Sequence, residues 1–197
     1  MKFTIDEEYD KLSKREKRIK LYFDQKIVLD DFLSSGAITK AQYDKSFNDL
    51  TAKMNILGDD KFKEVVAGIA FSDGRFLIAK RPEGKKRAGL YEFVGGKVEN
   101  GESKENALKR EFFEELGVEI SVKEEFASVL HFYDDLAVHL TVFIVELKGV
   151  PEPKEGQSLK FISAAEIDEY EFCDADEEIL NKIKKLPVVC PEITAHN

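Results

Sequence analysis

The segment from Gly96 to Val118, GKVENGESKENALKREFFEELGV, constrains the chain more than any other. It places Glu111, Glu114 and Glu115 three and four residues apart, which in a helix aligns their side chains along one stripe. Like charges held this close repel one another unless a cation lies among them. Carboxylate oxygens converging from one face are ligands that suit Mg²⁺ or Mn²⁺. The segment therefore predicts a helix that carries a divalent metal site.

An apolar stripe runs along the same predicted helix. Leu108, Phe112 and Leu116 recur at intervals of four residues, so this stripe can be buried while the glutamates face a cleft. Ser103 is expected to cap the start of the helix. An acidic run alone usually indicates nothing more than a solvated helix face. Here the segment before the helix favours the metal site.

That preceding segment contains paired glycines. Gly95 and Gly96 follow a strand-like stretch, Leu90 to Val94, and Lys97 comes directly after them. Two adjacent glycines let the backbone bend sharply and bring a carbonyl close to a metal ion. We therefore expect the loop and the helix to bind metal and phosphate together.

The order of these residues resembles the Nudix box, and the resemblance extends from about Asp60 to Leu186. It implies an α+β fold, the α/β/α sandwich of Nudix hydrolases with a mixed β-sheet. The one departure within the box is Phe112, where the pattern usually has an aliphatic residue. An aromatic ring still fills a core position, so the departure concerns packing more than chemistry.

The resemblance also implies roles for the residues of the box. Two or more Mg²⁺ or Mn²⁺ ions, bridging a substrate pyrophosphate, would be surrounded by the carbonyl of Gly95 and by Glu111, Glu114 and Glu115. By analogy with the MutT branch, Glu111 is expected to be the general base. Glu102 is expected to pair with Arg110, which would orient Glu111.

The flanking sequence, residues 79–103, is similar to the MutT and CTP pyrophosphohydrolase branch of the family. This similarity implies further contacts at five positions. Arg81 is expected to contact the substrate phosphates, and Phe93 and Asp176 the base. Lys97, beside the box, is a further expected substrate contact. Glu155 is expected to be an additional metal ligand. Val94 stands where related enzymes often have proline.

The residues alone leave other interpretations of these positions open. Arg81 reads equally well as an exposed charge at a strand end, and Glu155 as a surface residue. Phe93 is more often simply core in a strand. Asp174, with Glu177 three residues later, predicts the N-cap of a final helix, in which Asp176 would favour the first turn through the helix dipole.

The expected activity is hydrolysis of a nucleoside triphosphate to a monophosphate and pyrophosphate. An ionised Asp176 would accept a hydrogen bond from an amino group such as that of cytosine, whereas a protonated one could pair with an oxidised purine. CTP, dCTP derivatives and 8-oxo-dGTP are therefore the predicted substrates. Two alternatives remain: cleavage of ADP-ribose or another nucleoside diphosphate derivative, and a non-catalytic Nudix nucleotide sensor.

The organisation predicted for the chain is a helical hairpin over residues 1–58, the hydrolase domain over 59–186 and a tail over 187–197. A first helix runs from Tyr9 to the turn at Ser34–Gly36, and a second begins with a capping box of Thr39 and Gln42. Neither apolar stripe can be buried by one helix alone, so the hairpin is expected to pack on the catalytic domain or, as a homodimer, on another copy. Residues 32–50 weakly resemble the SHOCT oligomerisation motif.

The predicted strands of the hydrolase domain follow from alternating and continuous apolar runs. They are Lys63–Phe71, Arg75–Lys80, Phe126–Tyr133, Leu136–Leu147 and Leu159–Ile162, with a final helix over Asp174–Lys185. The turn between the first two contains Asp73-Gly74.

Composition narrows the remaining function classes. The chain has 197 residues, a formal net charge of −9 and two cysteines, Cys173 and Cys190, too few for a disulfide framework. The net negative charge argues against a nucleic acid polymer as partner, and no apolar run is long enough for a membrane span or a signal peptide, so the cytoplasm is expected. His131, His139 and His196 do not have the spacing of a metal triad.

Overall fold

The computed structural model describes residues 7–56 and 58–186. Cys190, His196 and the predicted tail lie outside the described residues. Contacts group the described residues into two compact units. The first comprises those up to Phe62 together with Phe132–Ala137, and the second comprises Lys63–His131 together with those from Val138. The predicted boundaries at residues 58 and 186 stay predictions.

The first unit contains three helices, α1 (Glu7–Lys11), α2 (Lys14–Ser34) and α3 (Lys40–Met54). The capping box predicted from Thr39 and Gln42 begins α3, which confirms the second helix of the hairpin. The single first helix was wrong, because Ser13 interrupts it and starts α2 with a capping box of its own. The Ser13 backbone N–H donates to Glu16 Oε2 at 2.6 Å. The sequence signal for this break is Ser13 followed by Glu16.

The hairpin has a small core between α2 and α3. Ile19, Tyr22 and Phe23 of α2 and Leu50 of α3 are buried. The Tyr43 hydroxyl donates to Asp30 Oδ1 at 2.6 Å, which adds a polar contact across the two helices. These contacts bury the facing sides of the two helices.

The second unit is built on a seven-stranded sheet. Its strands are β1 (Phe62–Ser72), β2 (Arg75–Lys80), β3 (Tyr91–Glu92), β4 (Val94–Lys97), β5 (Ile120–Phe132), β6 (Ala137–Leu147) and β7 (Ser158–Ile162). The order is β3-β2-β1-β6-β5, while β4 pairs with β1 and β7 pairs with β2. The predicted α+β class is confirmed. The predicted strands are present, although β5 begins six residues before Phe126, at Ile120.

The paired glycines lie inside a strand, which corrects the prediction that they form a loop. Gly95 and Gly96 belong to β4 and pair in antiparallel register with Ala67 and Val66 of β1. A Cβ atom on Gly95 would lie 2.0 Å from the Val66 carbonyl oxygen. The glycine is therefore required for close approach of two backbones rather than for a turn.

Helix α4 (Lys104–Leu116) packs on this sheet through its predicted apolar stripe. Leu108, Phe112 and Leu116 are completely buried. The departure at Phe112 is accommodated by Gly68 of β1, where an added Cβ would lie 2.7 Å from the Phe112 ring. The core thus fixes the helix that carries the acidic residues.

The end of the described chain differs from the predicted helix over Asp174–Lys185. A 3-10 turn over Asp174–Asp176 comes first, and α5 covers only Glu177–Ile183. Asp174 is not the N-cap, because the turn begins after Cys173 without a side-chain cap, and the Asp174 carboxylate lies 4.0 Å from His131 Nε2 instead.

Among the described helices, none has both the length and the apolar character needed to cross a membrane.

Candidate active site

Helix α4 has well-defined ends, which fix the positions of its glutamates. Ser103 caps the N-terminus, as predicted, by accepting a hydrogen bond from the Asn106 backbone N–H at 3.2 Å. Gly117 ends the helix in the left-handed conformation, with φ of 60°. Because Leu108, Phe112 and Leu116 face the core, the three glutamates lie outside this buried stripe, with Glu114 exposed and Glu111 and Glu115 partly buried.

Arg110 is the centre of the first group of charges. Its guanidinium donates to both carboxylate oxygens of Glu102 at 3.1 Å, to Glu111 Oε1 at 2.8 Å, to Glu114 Oε2 at 3.0 Å and to the Lys97 carbonyl at 3.0 Å. A guanidinium has five N–H groups in a fixed plane, so one side chain can orient several carboxylates. The pair of Glu102 with Arg110 is therefore present, and Arg110 also holds Glu111.

Hydrogen bonding sets the protonation of this group. The bond from Arg110 lowers the pKa of Glu102, and the bond to Glu102 in turn raises the pKa of Arg110. Both groups are favoured in their charged forms. In the Arg110 group, one internal cation thus already lies among three carboxylates.

Glu115 lies in a different environment one turn along the helix. Burial, together with the negative charges of Glu92, Glu111 and Glu155, raises its pKa to about 8. A carboxylate in such surroundings is stabilised either by a proton or by a cation. Glu115 therefore marks a place where a bound cation would offset crowded negative charge.

The segment between β6 and β7, residues 148–157, brings Glu155 towards Glu115. The backbone N–H of Lys154 donates to the Glu115 carbonyl at 2.8 Å, and that of Glu152 donates to Leu116 at 2.9 Å. Gln157 Nε2 also donates to the Glu115 carbonyl at 3.2 Å. The last turn of α4 thus anchors the segment that carries the predicted ligand Glu155.

Arg81 lies beside this acidic group rather than in open solvent. The Arg81 guanidinium forms an ion pair with the Glu92 carboxylate through Nη1. Its Nε donates to the Lys86 carbonyl at 2.8 Å. Burial raises the pKa of Glu92 even though the Arg81 charge opposes the shift. Arg81 is therefore half-buried and paired with Glu92, and its role at the substrate phosphates stays a prediction.

Asp176 is buried next to the same residues, with 4% of its surface exposed. It lies there because Tyr91 of β3 pairs with residues 171–173: the Tyr91 N–H donates to Glu171 at 2.8 Å, and the Cys173 N–H donates to Tyr91 at 3.0 Å. Burial and then the charge of Glu92 raise the pKa of Asp176 well above its usual range. Its side chain accepts from the Phe93 backbone and makes no helix-capping hydrogen bond.

Comparison with known proteins agrees with this geometry. The model of the NUDIX domain matches residues 65–182, which is more than half of the chain. The chain belongs to the Nudix family. This confirms the family predicted from the Nudix box.

Two relatives and one solved structure resemble the Nudix part of the chain. The CTP pyrophosphohydrolase of Escherichia coli K12 is 39% identical over 132 residues, covering 66% of this chain and 98% of the relative. The 8-oxo-dGTP diphosphatase of the same strain is 31% identical over 127 residues, covering 64% and 98%. The solution structure of MutT from methicillin-resistant Staphylococcus aureus 252 is 36% identical, covers 64% and 97%, and has a TM-score of 0.53.

Two predicted substrate residues lie outside the acidic group. Phe93 is 3% exposed and packs against Phe76, with ring centroids 6.0 Å apart. This packing agrees with the core interpretation, and a role of Phe93 at the base stays a prediction. Lys97 is exposed at the end of β4, and only its carbonyl contacts Arg110.

The donor set suits a hard divalent ion, although it is not gathered around one position. Within residues 7–56 and 58–186, no three His, Cys, Asp or Glu side chains are arranged around a common metal position. Glu111 is held by Arg110, and Glu155 by Lys85. The Glu111 carboxylate fits beside Gly96 only because glycine has no side chain: a Cβ atom there would lie 2.3 Å from the Glu111 carboxyl carbon. All donors are carboxylate or carbonyl oxygens, which fits the ions predicted for Nudix enzymes.

Sequence reasoning missed three residues of this region: Glu92, Lys85 and Gln157. Glu92 contributes negative charge to both Glu115 and Asp176. The pattern YEF offers no signal for this role, since a charged residue at the end of a short strand usually indicates only solvent exposure. Contacts between segments far apart in sequence decide the role of all three residues.

Proposed function

We propose that this Nudix protein hydrolyses a nucleoside triphosphate to a nucleoside monophosphate and pyrophosphate, with Mg²⁺ or Mn²⁺ as cofactor. The observation that carries the proposal is the position of Glu115, where burial and then the negative charges of Glu92, Glu111 and Glu155 raise its pKa to about 8. Such a group needs cations, and Mg²⁺ complexes of a polyphosphate supply them.

Each residue of the site would have a distinct role in hydrolysis. Metal ions held by Glu111, Glu114, Glu115, Glu155 and the Gly95 carbonyl would offset negative charge on the phosphates. Glu111 would accept the proton of the attacking water, and Arg110, at 2.8 Å from it, would fix its direction. Glu102 would act only through Arg110 and is a positioning residue.

Base selection is proposed for Asp176. Its raised pKa favours the protonated carboxyl, which can donate one hydrogen bond and accept another. A protonated acid matches the edge of an oxidised purine better than the amino group of cytosine. We therefore expect 8-oxo-dGTP to be cleaved most efficiently, followed by CTP and dCTP, the substrate types named for its relatives.

The test is a panel of nucleotides with Mg²⁺, scored for pyrophosphate release and monophosphate by chromatography. The panel contains 8-oxo-dGTP, dGTP, CTP, dCTP and ADP-ribose. The proposal expects kcat/KM for 8-oxo-dGTP to exceed that for dGTP by at least about tenfold. A clear preference for ADP-ribose would contradict the branch assignment and leave the family unchanged.

A non-catalytic nucleotide sensor is the second candidate, and Glu114→Gln separates it from the enzyme. In an enzyme this change should lower hydrolysis about a hundredfold or more, because it removes a metal ligand. In a sensor it should leave nucleotide affinity nearly unchanged while the wild type shows no turnover. Equilibrium binding of the nucleotide, measured beside hydrolysis, distinguishes the two.

For the hairpin we propose self-association through the outer side of α2. Leu21, Val28 and Phe32 are 40%, 48% and 47% exposed and lie on one stripe opposite the buried Ile19 and Phe23. The first half of α2 is mainly basic, with Lys14, Arg15, Lys17, Arg18 and Lys20 against Glu16, and the second half is mainly acidic, with Asp24, Asp30 and Asp31 against Lys26. An antiparallel pair of α2 helices would match basic halves with acidic halves and cover both stripes.

Light scattering on the full-length protein tests this arrangement. The expected mass is twice the monomer mass of 22.4 kDa, and Leu21→Glu combined with Val28→Glu should return it to the monomer. Ile27→Glu is the matched control, because Ile27 is 57% exposed but lies about 120° from the stripe. A monomeric wild type, or a dimer that survives the double change, contradicts the proposal.

A further inference from the structure

One lysine connects the two segments that border the acidic group. Lys85 Nζ lies 2.5 Å from Glu155 Oε2, although the two residues are 70 positions apart. Lys85 belongs to the connection between β2 and β3, and Glu155 to the connection between β6 and β7. The contact therefore joins two different segments beside Glu115.

The influence of the Lys85 ammonium extends beyond its direct partner. It contributes positive charge to Glu115 and to Glu92, and in each case it opposes the burial that raises their pKa values. Three carboxylates thus share this one lysine. An isolated surface ion pair contributes little, whereas a cation next to several crowded carboxylates has a definite electrostatic role.

Backbone hydrogen bonds anchor both segments, so the lysine side chain is the adjustable part of the contact. The Gly89 N–H donates to the Arg81 carbonyl at 3.0 Å, and the Arg81 N–H donates to Leu90 at 2.9 Å, which closes the base of the first segment. The second segment is tied to α4 through Lys154 and Glu152. Lys85 itself is exposed, and its four-carbon stem allows the ammonium to change partners.

We propose that Lys85 takes the place of a divalent ion at Glu155 and transfers to the substrate phosphates when the ion binds. The inference rests on the proposed metal-dependent function and goes further by assigning Lys85 a role in it. A divalent ion at Glu155 must compete with Lys85 for the same carboxylate oxygens. Once displaced, the ammonium lies beside the position of a polyphosphate, which is a ligand that lysine binds well.

This role predicts opposite effects on two affinities. Lys85→Met removes the competitor, so Mn²⁺ binding in the absence of nucleotide should become about threefold to tenfold tighter. The same change removes a phosphate contact, so the affinity of the Mn²⁺-loaded protein for tripolyphosphate should fall by about the same factor. A side chain that only held the two segments together would weaken both.

Isothermal titration calorimetry with Mn²⁺ alone, then with tripolyphosphate at saturating Mn²⁺, measures both affinities. Lys85→Arg keeps the charge and should stay close to the wild type. Lys148→Met is the matched control: it removes the same charge from the connection that carries Glu155, but Lys148 pairs with Glu146 at 2.9 Å. It should change neither affinity, and thermal unfolding verifies that each variant is folded.

The outcomes separate this inference from the proposed function. Tighter Mn²⁺ binding together with weaker tripolyphosphate binding in Lys85→Met supports the exchange. Unchanged or weaker Mn²⁺ binding, or unchanged tripolyphosphate binding, overturns it while metal binding by the wild type still supports the hydrolase. Flat Mn²⁺ titrations in the wild type and in every variant overturn the metal-dependent function itself.

Discussion

Two groups of glutamates, each with members on α4, lie in opposite charge environments. Around Arg110, a single guanidinium donates to Glu102, Glu111 and Glu114, and it lowers the pKa of Glu102. Around Glu115, burial and neighbouring carboxylates raise the pKa to about 8. Residues five positions apart in one acidic sequence are therefore held in different charge environments.

This difference in charge environment indicates that the two groups along α4 have different roles. The Arg110 group already contains a cation, which orients Glu111 and Glu114 before any metal ion binds. The Glu115 group lacks sufficient positive charge, and such a group gains most from binding divalent ions. The acidic helix thus combines a preorganised part with a part that is complete only when a cation binds.

The largest expected effect comes from the Glu115 group. Glu115→Gln removes a proposed metal ligand that lies among other carboxylates, and we expect kcat for the best nucleotide to fall about a thousandfold. The fold should not weaken, because the amide avoids the burial of a negative charge. Steady-state hydrolysis measures the expected loss of kcat, and thermal unfolding measures the expected unchanged stability. Activity within about tenfold of the wild type would mean that Glu115 is not a metal ligand.

The Arg110 group should respond to mutation in both stability and activity. Arg110→Met leaves Glu102, Glu111 and Glu114 without their shared donor, and we expect the free energy of unfolding to fall by about 1–2 kcal/mol. Loss of the orientation of Glu111 should lower kcat about a hundredfold. Urea unfolding and hydrolysis by the same preparation test both effects. An unchanged stability with the same loss of activity would assign Arg110 to the substrate instead.

The helix and its apolar stripe could be predicted from the sequence because local spacing determines them. Leu108, Phe112 and Leu116 recur with the helical period, and Ser103 has the chemistry of a cap. The strand over Arg75–Lys80 was likewise predicted with its observed bounds, because it follows a turn-favouring Asp-Gly pair. These features depend on neighbours within one or two turns of chain.

The charge environment could not be predicted, because it depends on segments far apart in sequence. Glu115 is influenced by Glu92 and Glu155, which reach it only through the sheet and the β6–β7 connection. Asp176 is buried because residues 171–173 pair with Tyr91 of β3. Sequence periodicity contains no information about such pairings, so the capping role predicted for Asp174 was wrong.

The two adjacent glycines should give different phenotypes. In Gly96→Ala the new Cβ would lie 2.3 Å from the Glu111 carboxyl carbon, and this flexible side chain can move away. We expect kcat to fall about thirtyfold with little loss of stability. In Gly95→Ala the clash is with the Val66 carbonyl of β1, so stability should fall by about 3 kcal/mol. Hydrolysis and urea unfolding of both variants test the contrast; similar stabilities would contradict it.

The smallest expected effect is on the pH dependence of stability in the absence of metal ions. The raised pKa of Glu115 means that the folded protein holds a proton that the unfolded chain has lost above about pH 4.5. Stability is therefore expected to fall as pH rises from about 5 to about 8, with Glu92 and Asp176 acting in the same direction. Glu102, whose pKa is lowered, contributes stability that is lost only as pH falls below about 4.5. Urea unfolding in EDTA at pH 5, 6.5 and 8 should show the decline in the wild type and a shallower one in Glu115→Gln. Equal slopes in the two proteins would mean that the charge on Glu115 is already balanced without a metal ion, as it is around Arg110.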